Sequence, residues 1–271
     1  MNVSAQVSQI YFCIIRSSLS QQTYRKTKDM LTIHHLGLSQ SERIVWLCEE
    51  LKLDYELKCY QRRADNKMAP PDYKSLHPLG VAPVITDGDL VLGESGAIIE
   101  YLVEVYGRGG MTIKPGAPGY TDYLYWLHFA NGTFQALILR MLSLERVDAS
   151  GNNAPLAMAK ERFQLMLSMM EKKLGESDYL TGDTLTAADI MIIFSLTTMR
   201  LFKPYDLSQY PNILAYLQRI GARPAYQRAM QKAEPDLTPV LGAKPSKAGA
   251  VDQTLPRPGC GTPVLYRRSL C

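Results

Sequence analysis

The chain has 271 residues, 46% hydrophobic and 21% charged, enough apolar content for one or two domains with a sizeable core. Its net charge of +4 belongs to the ends: residues 1–30 carry four basic side chains and one acid, and residues 242–271 carry five and one, which leaves 21 basic against 24 acidic residues, or −3, in between. That balance argues against a nucleic-acid surface on the core, no apolar run is long enough to span a membrane, and the five cysteines (Cys13, Cys48, Cys59, Cys260, Cys271) lack paired or metal-ligand spacing, which points to a reducing, intracellular setting.

Residues 1–30 read as a disordered extension, with Arg16, Arg25, Lys26 and Lys28, several serines and no acid before Asp29. The same composition fits a weak organellar transit peptide, so a mitochondrial location is the alternative to a cytoplasmic one. Leu31 to His35 is a first strand, and the loop Leu36 to Ser41 leads into a helix with Ile44, Val45, Leu47, Cys48 and Leu51 at helical spacing. Tyr55 to Tyr60 is a second strand, completing a βαβ unit.

The stretch from His77 to Ile99 is the most informative. Pro83 cannot donate to a sheet ladder and suits a strand's first residue, where a cis peptide is an option. Val84-Ile85 is a brief apolar run, Asp87-Gly88 signals a tight hairpin, and Leu90 to Leu92 return. Gly93-Glu94-Ser95 then open a helix, with Ser95 suited to cap it and the free amides behind forming an anion site.

This order of features resembles the glutathione-binding half of cytosolic glutathione transferases, in which a strand-opening cis-proline precedes a hairpin and a Glu-Ser pair at a helix start. The resemblance covers about residues 31–232. It implies a thioredoxin-like α/β domain over residues 31–106, a linker over 107–119 and an all-helical domain over 120–233. Within the last part, Tyr120 to Val147 and Pro155 to Leu174 are long amphipathic stretches, and Pro211 to Ile220 and Pro224 to Lys232 are the final helices. Thr186-Ala187-Ala188-Asp189 is a capping box with Leu185 and Ile190 as its staple; glutathione transferases carry a similar box, with a folding role rather than a catalytic one. From Glu234 to Cys271, rich in Pro, Gly, Lys and Arg, disorder with no packed structure is expected.

The resemblance also assigns roles. Ser95 would hold the γ-glutamyl carboxylate of glutathione, Glu94 its ammonium, and the backbone of Val81 its cysteinyl unit. A free thiol titrates at about 8.5, so its thiolate needs a donor and a helix N-terminus. Ser39, four residues before Arg43, matches the Ser-x-x-x-Arg spacing of serine-type transferases and ranks above Ser41, whose simpler role is a helix N-cap. Both rank above His35, which as a strand-end histidine is more often structural. Cys48 lies on the apolar stripe and reads as a core residue.

Two departures from the pattern stand out. Position 77 is His where many relatives have Asn, and Val81 replaces a long polar side chain that would help hold the glycyl carboxylate; Lys67, Lys74 or His77 are the available substitutes, and weaker glutathione binding follows. Tyr120, Tyr123, Trp126 and Phe129 form an aromatic stripe that core packing or a dimer contact explains as well as an electrophile site. The expected function is conjugation of glutathione, as co-substrate, to small hydrophobic electrophiles, in detoxification or a step of secondary metabolism. The alternative is a non-catalytic regulatory or assembly protein on the same fold. No metal, nucleic acid or membrane is implied, and a homodimer is expected by resemblance.

Overall fold

The computed structural model describes residues 30–148, 153–245 and 263–267. The extension of residues 1–29 lies outside them, and so do Cys13, Cys260 and Cys271.

Strand β1 (Thr32–Leu36) runs parallel to β2 (Tyr55–Tyr60), with Thr32 opposite Glu56 and His35 opposite Cys59. Helix α1 (Glu42–Glu50) makes the crossover, burying Ile44, Val45, Leu47 and Cys48 as its apolar spacing dictates. Burial pushes the Cys48 thiol well above its ordinary range, which fits an inert core cysteine. After the short helix α2 (Pro71–Lys74), β3 (Val84–Asp87) and β4 (Leu90–Gly93) form the expected hairpin. Gly88 turns it at φ +59°, and Asp87 is anchored by the Tyr101 and Tyr106 hydroxyls at 2.7 and 2.6 Å. Strand β3 pairs antiparallel with β1, and helix α3 (Ser95–Val105) packs its buried Ile98, Ile99, Leu102 and Val103 against α1. The thioredoxin-like βαβ–ββα unit is therefore present.

The rest is helical. Helix α4 (Tyr120–Phe129) passes through a π-helical segment (Ala130–Gln135) directly into α5 (Ala136–Val147). Helix α6 (Ala154–Leu174) is capped by Asn153, whose Oδ1 accepts the Leu156 amide at 2.6 Å. Helix α7 (Ala187–Leu196) is buried along its whole length and starts at the predicted capping box. There Asp189 Oδ2 accepts the Thr186 amide at 2.9 Å and its hydroxyl at 3.1 Å, while Oδ1 takes the Leu180 amide and the Tyr216 hydroxyl. A 3-10 turn (Thr198–Leu201) follows, and α8 (Pro211–Gly221) and α9 (Pro224–Ala233) are the last helices among the described residues. The aromatic stripe is core: Tyr123, Trp126 and Phe129 are buried, and Phe129, Phe134 and Phe163 stack in series.

Beyond Glu234 the structure departs from the sequence expectation. Leu237 and Val240 are buried, and the Arg200 guanidinium donates to the Gly242 carbonyl at 2.8 Å and to that of Ala243. Proline excludes a helix here but not packing of the apolar residues between the prolines. Residues 246–262 lie outside the described set; β5 (Val264–Tyr266) then adds antiparallel to the outer edge of β2, giving the sheet order β4-β3-β1-β2-β5. Lys232 stands over the Tyr266 ring at 3.9 Å. A three-residue strand in a Pro- and Arg-rich context gives no periodic signal, because its partner edge rather than its own pattern specifies it.

Candidate active site

Three chain segments converge where β1 ends and α1 and α3 begin. The first is the loop after β1. Ser39 Oγ lies 2.7 Å from Ser41 Oγ, which lies 2.9 Å from His35 Nδ1. Ser41 stands at the N-cap of α1, yet its hydroxyl makes no capping bond; it accepts the Leu36 amide at 3.2 Å. His35 Nε2 faces Glu234 Oε1 at 3.1 Å, and the same oxygen accepts the Leu38 amide. All four side chains are buried. The three residues proposed from sequence as alternatives are thus one hydrogen-bonded chain, and Glu234, from the tail expected to be unpacked, terminates it.

The second segment is the Ala82–Pro83 peptide, which is cis. Gln40 ties it to the loop, its Nε2 donating to the Ala82 carbonyl at 3.0 Å. Val81 beside it is 54% exposed.

The third is the start of α3. The N-cap is Glu94, not Ser95 as the sequence suggested; Ser95 is the first helical residue. Glu94 is exposed and sits at φ +68° and ψ 117°, a conformation that costs a non-glycine residue about 1–3 kcal/mol and tends to persist at ligand sites. The His77 ring packs over Gly93, where an added Cβ would approach its Nε2 to 3.3 Å, so His77 borders the same turn.

Relieved of capping, the Ser95 hydroxyl joins a polar cluster under the helix start. It accepts from Arg43 Nη1 at 3.3 Å and Asn131 Nδ2 at 3.0 Å, and donates to Gln40 Oε1 at 3.4 Å. Arg43 also donates to Gln40 Oε1, to Asn131 Oδ1 at 2.7 Å and to Gln135 Oε1 at 2.6 Å, and lies 5.2 Å from the Phe194 ring centroid. Among the described residues no carboxylate lies within ion-pair distance of this guanidinium, and its Nε has no partner. Burial lowers its pKa to about 9, opposed only in part by Glu42. A cation held this way, under the N-terminus of an eleven-residue helix, favours an anion at that terminus. Asn131 and Gln135 come from the π-helical segment, a distortion frequent at functional sites.

Arg43 was visible in sequence only as a spacing partner of Ser39; Gln40, Asn131, Gln135 and Glu234 gave no signal of their own. Thr186 and Asp189 stand apart from this site, in the capping box of α7.

The chain matches the family models described as the N-terminal domain of glutathione S-transferase over residues 39–105 and its C-terminal domain over residues 142–232. Glutathione S-transferase 3 of Schizosaccharomyces pombe is 34% identical over 223 residues, covering 76% of this chain and 88% of the relative. The chain belongs to the glutathione S-transferase family. That membership carries glutathione transfer as its activity and glutathione as its co-substrate. A solved glutathione S-transferase from Actinobacillus pleuropneumoniae is 37% identical with a TM-score of 0.69, covering 76% of this chain and 93% of that one. The glutathione transferase URE2P8 of Phanerochaete chrysosporium, solved with oxidized glutathione, is 22% identical with a TM-score of 0.60, covering 77% and 97%, and shares the fold.

Proposed function

We propose that the protein binds glutathione across these three segments and transfers its thiolate to small hydrophobic electrophiles. The γ-glutamyl carboxylate meets the Ser95 hydroxyl and amide, with the buried Arg43 cation behind them. Glu94 holds the ammonium, the Val81 backbone pairs with the cysteinyl unit, and Ser39 donates to the sulfur. His77 borders the site without supplying the long cationic side chain that Val81 lacks, so the glycyl carboxylate is held weakly.

The observation that carries this reading is Gln40. It links the serine loop to the carbonyl before Pro83 and to Ser95, which supports reading the candidate thiol-activating and carboxylate-binding groups as one site. A homodimer belongs to the same reading, supported by the exposed Leu139, Met158, Leu165 and Met169 along α5 and α6. So does a cytoplasmic location.

Calorimetric titration of glutathione into the full chain and into Ser95→Ala tests the proposal. Binding that weakens about tenfold or more in the variant supports it, a loss of about 1.4 kcal/mol or more. Absence of binding to the unaltered chain overturns it and favours the non-catalytic alternative. Turnover of a generic aryl halide against that of one native metabolite then separates a broad detoxifier from a dedicated pathway enzyme.

A further inference from the structure

We propose that His35 is the internal acceptor of the glutathione thiol proton, reached through Ser41 and Ser39. This rests on the reading that Ser39 faces the sulfur.

The direction of every hydrogen bond in the chain follows from its buried end. An ionised carboxylate only accepts, so with Glu234 at 3.1 Å the proton of a neutral His35 sits on Nε2. Nδ1 then carries a bare lone pair, and the Ser41 hydroxyl 2.9 Å away donates to it in preference to the Leu36 carbonyl at 3.4 Å. With its proton committed, Ser41 Oγ can only accept from Ser39, 2.7 Å away. Ser39 therefore donates inward; one of its lone pairs takes the Ser41 amide at 3.3 Å, and the other is left to face outward. That polarity suits the receipt of a proton from a thiol and is wrong for stabilising a thiolate.

Transfer reverses it. The S–H bond breaks and its proton bonds to Ser39 Oγ; the Ser39 proton passes to Ser41 Oγ, and the Ser41 proton to His35 Nδ1. The products are a thiolate accepting the Ser39 hydroxyl and an imidazolium paired with the Glu234 carboxylate. Atoms and charge balance with no other reactant. Among the described residues, the titratable or charged groups near His35 include Glu42 at the start of α1, close enough to Glu234 to interact with it, Cys59 opposite on β2, and Arg62, which donates to the carbonyls of Gly37 and Leu38. A histidine that merely braced the loop would need no hydroxyl pair leading outward from it.

The test counts protons. Glutathione is titrated into the full chain near neutral pH in weakly buffered indicator solution, while thiolate is read from its ultraviolet absorbance. The expected result is thiolate formation with well under one proton released per thiolate. Ser41→Ala, which cuts the chain but keeps Ser39, should release about one. Release of one proton per thiolate by the unaltered protein overturns the proposal and leaves the role of Ser39 intact. Bound glutathione with no thiolate at all overturns both.

Discussion

The two ends of α1 treat charge in opposite ways. At its C-terminal end each acid is matched. Glu49 accepts from the Tyr55 hydroxyl at 2.6 Å, Arg228 at 2.8 Å and Lys232; Glu50 takes a two-pronged grip from Arg223 at 2.7 and 2.8 Å, and the Trp46 indole at 2.9 Å. Burial pushes the Glu49 carboxyl up, but those hydrogen bonds outweigh it and leave its pKa lowered. About two turns earlier, Glu42 and Arg43 are adjacent in sequence, both buried, and do not pair. Glu42 Oε2 accepts only the Thr198 hydroxyl at 2.8 Å, its Oε1 accepts nothing, and Arg43 turns to neutral amides and Ser95. The difference locates the two tasks of the helix. Its matched end fastens the sheet to α9, and that attachment offsets the cost of the unneutralised charge buried at the other end.

Breaking the matched end should have the largest effect. Glu49→Ala strands a buried tyrosine hydroxyl and two cations, a loss of about 3 kcal/mol. A melting temperature lower by roughly 6–12 °C with glutathione affinity unchanged is expected in calorimetry. Equal damage to binding would mean that the two ends are not independent.

At the open end the cost depends on pH. Burial raises the Glu42 pKa from 4.5 to about 8, so the neutral acid is favoured in the fold. A raised folded-state pKa means that stability is fully present below about 4.5 and lost as pH rises through about 8. Glu42→Gln keeps an acceptor for Thr198 and removes that loss. Thermal scans should show the variant level with the parent at pH 4.5 and progressively more stable than it as pH rises to 8; a constant offset across that range would refute the assignment.

Arg43→Met sharpens the contrast. Removing the cation relieves its desolvation but leaves the Asn131 and Gln135 side-chain oxygens without their donor, so a loss of about 1–2 kcal/mol of stability is expected, while glutathione affinity falls about tenfold or more. A large loss of stability with affinity retained would make Arg43 structural. The smallest effect is expected at the far edge of the sheet. A chain ending at Pro245 loses the three-residue strand β5 and the Lys232–Tyr266 contact, and should melt about 2–4 °C lower, for roughly 1 kcal/mol.

What sequence could show followed the range of the interactions. The Asp87-Gly88 hairpin, the apolar stripe of α1 and the Thr186–Asp189 box are each encoded within a few residues, and all are present. The chemistry of the site is not local. His35 and Glu234 are 199 residues apart, and Arg43 and Gln135 are 92 apart. A Gln or Glu on a helix reads the same whether it faces solvent or a buried cation. Ser95 was misjudged as a cap for a related reason: an unstrained chain would cap there, and Glu94 instead takes a positive φ one residue earlier.

The π-helical segment Ala130–Gln135 makes the long α4–α5 rod sensitive to phase rather than to composition. Gly132 within it is exposed, and a Cβ there would meet nothing within 4 Å, so Gly132→Ala fits without adjustment. A π-turn holds one residue more than an α-turn, so deleting Gly132 would let the segment close into regular α-helix with α5 nearly in phase. Adding a residue to the α-helix just before it would instead turn everything after by about 100° around the axis, swinging Gln135 away from Arg43 and Phe134 from its stack with Phe129 and Phe163. For this rod a gain in length is the damaging mutation, and a change of side chain at Gly132 is nearly silent.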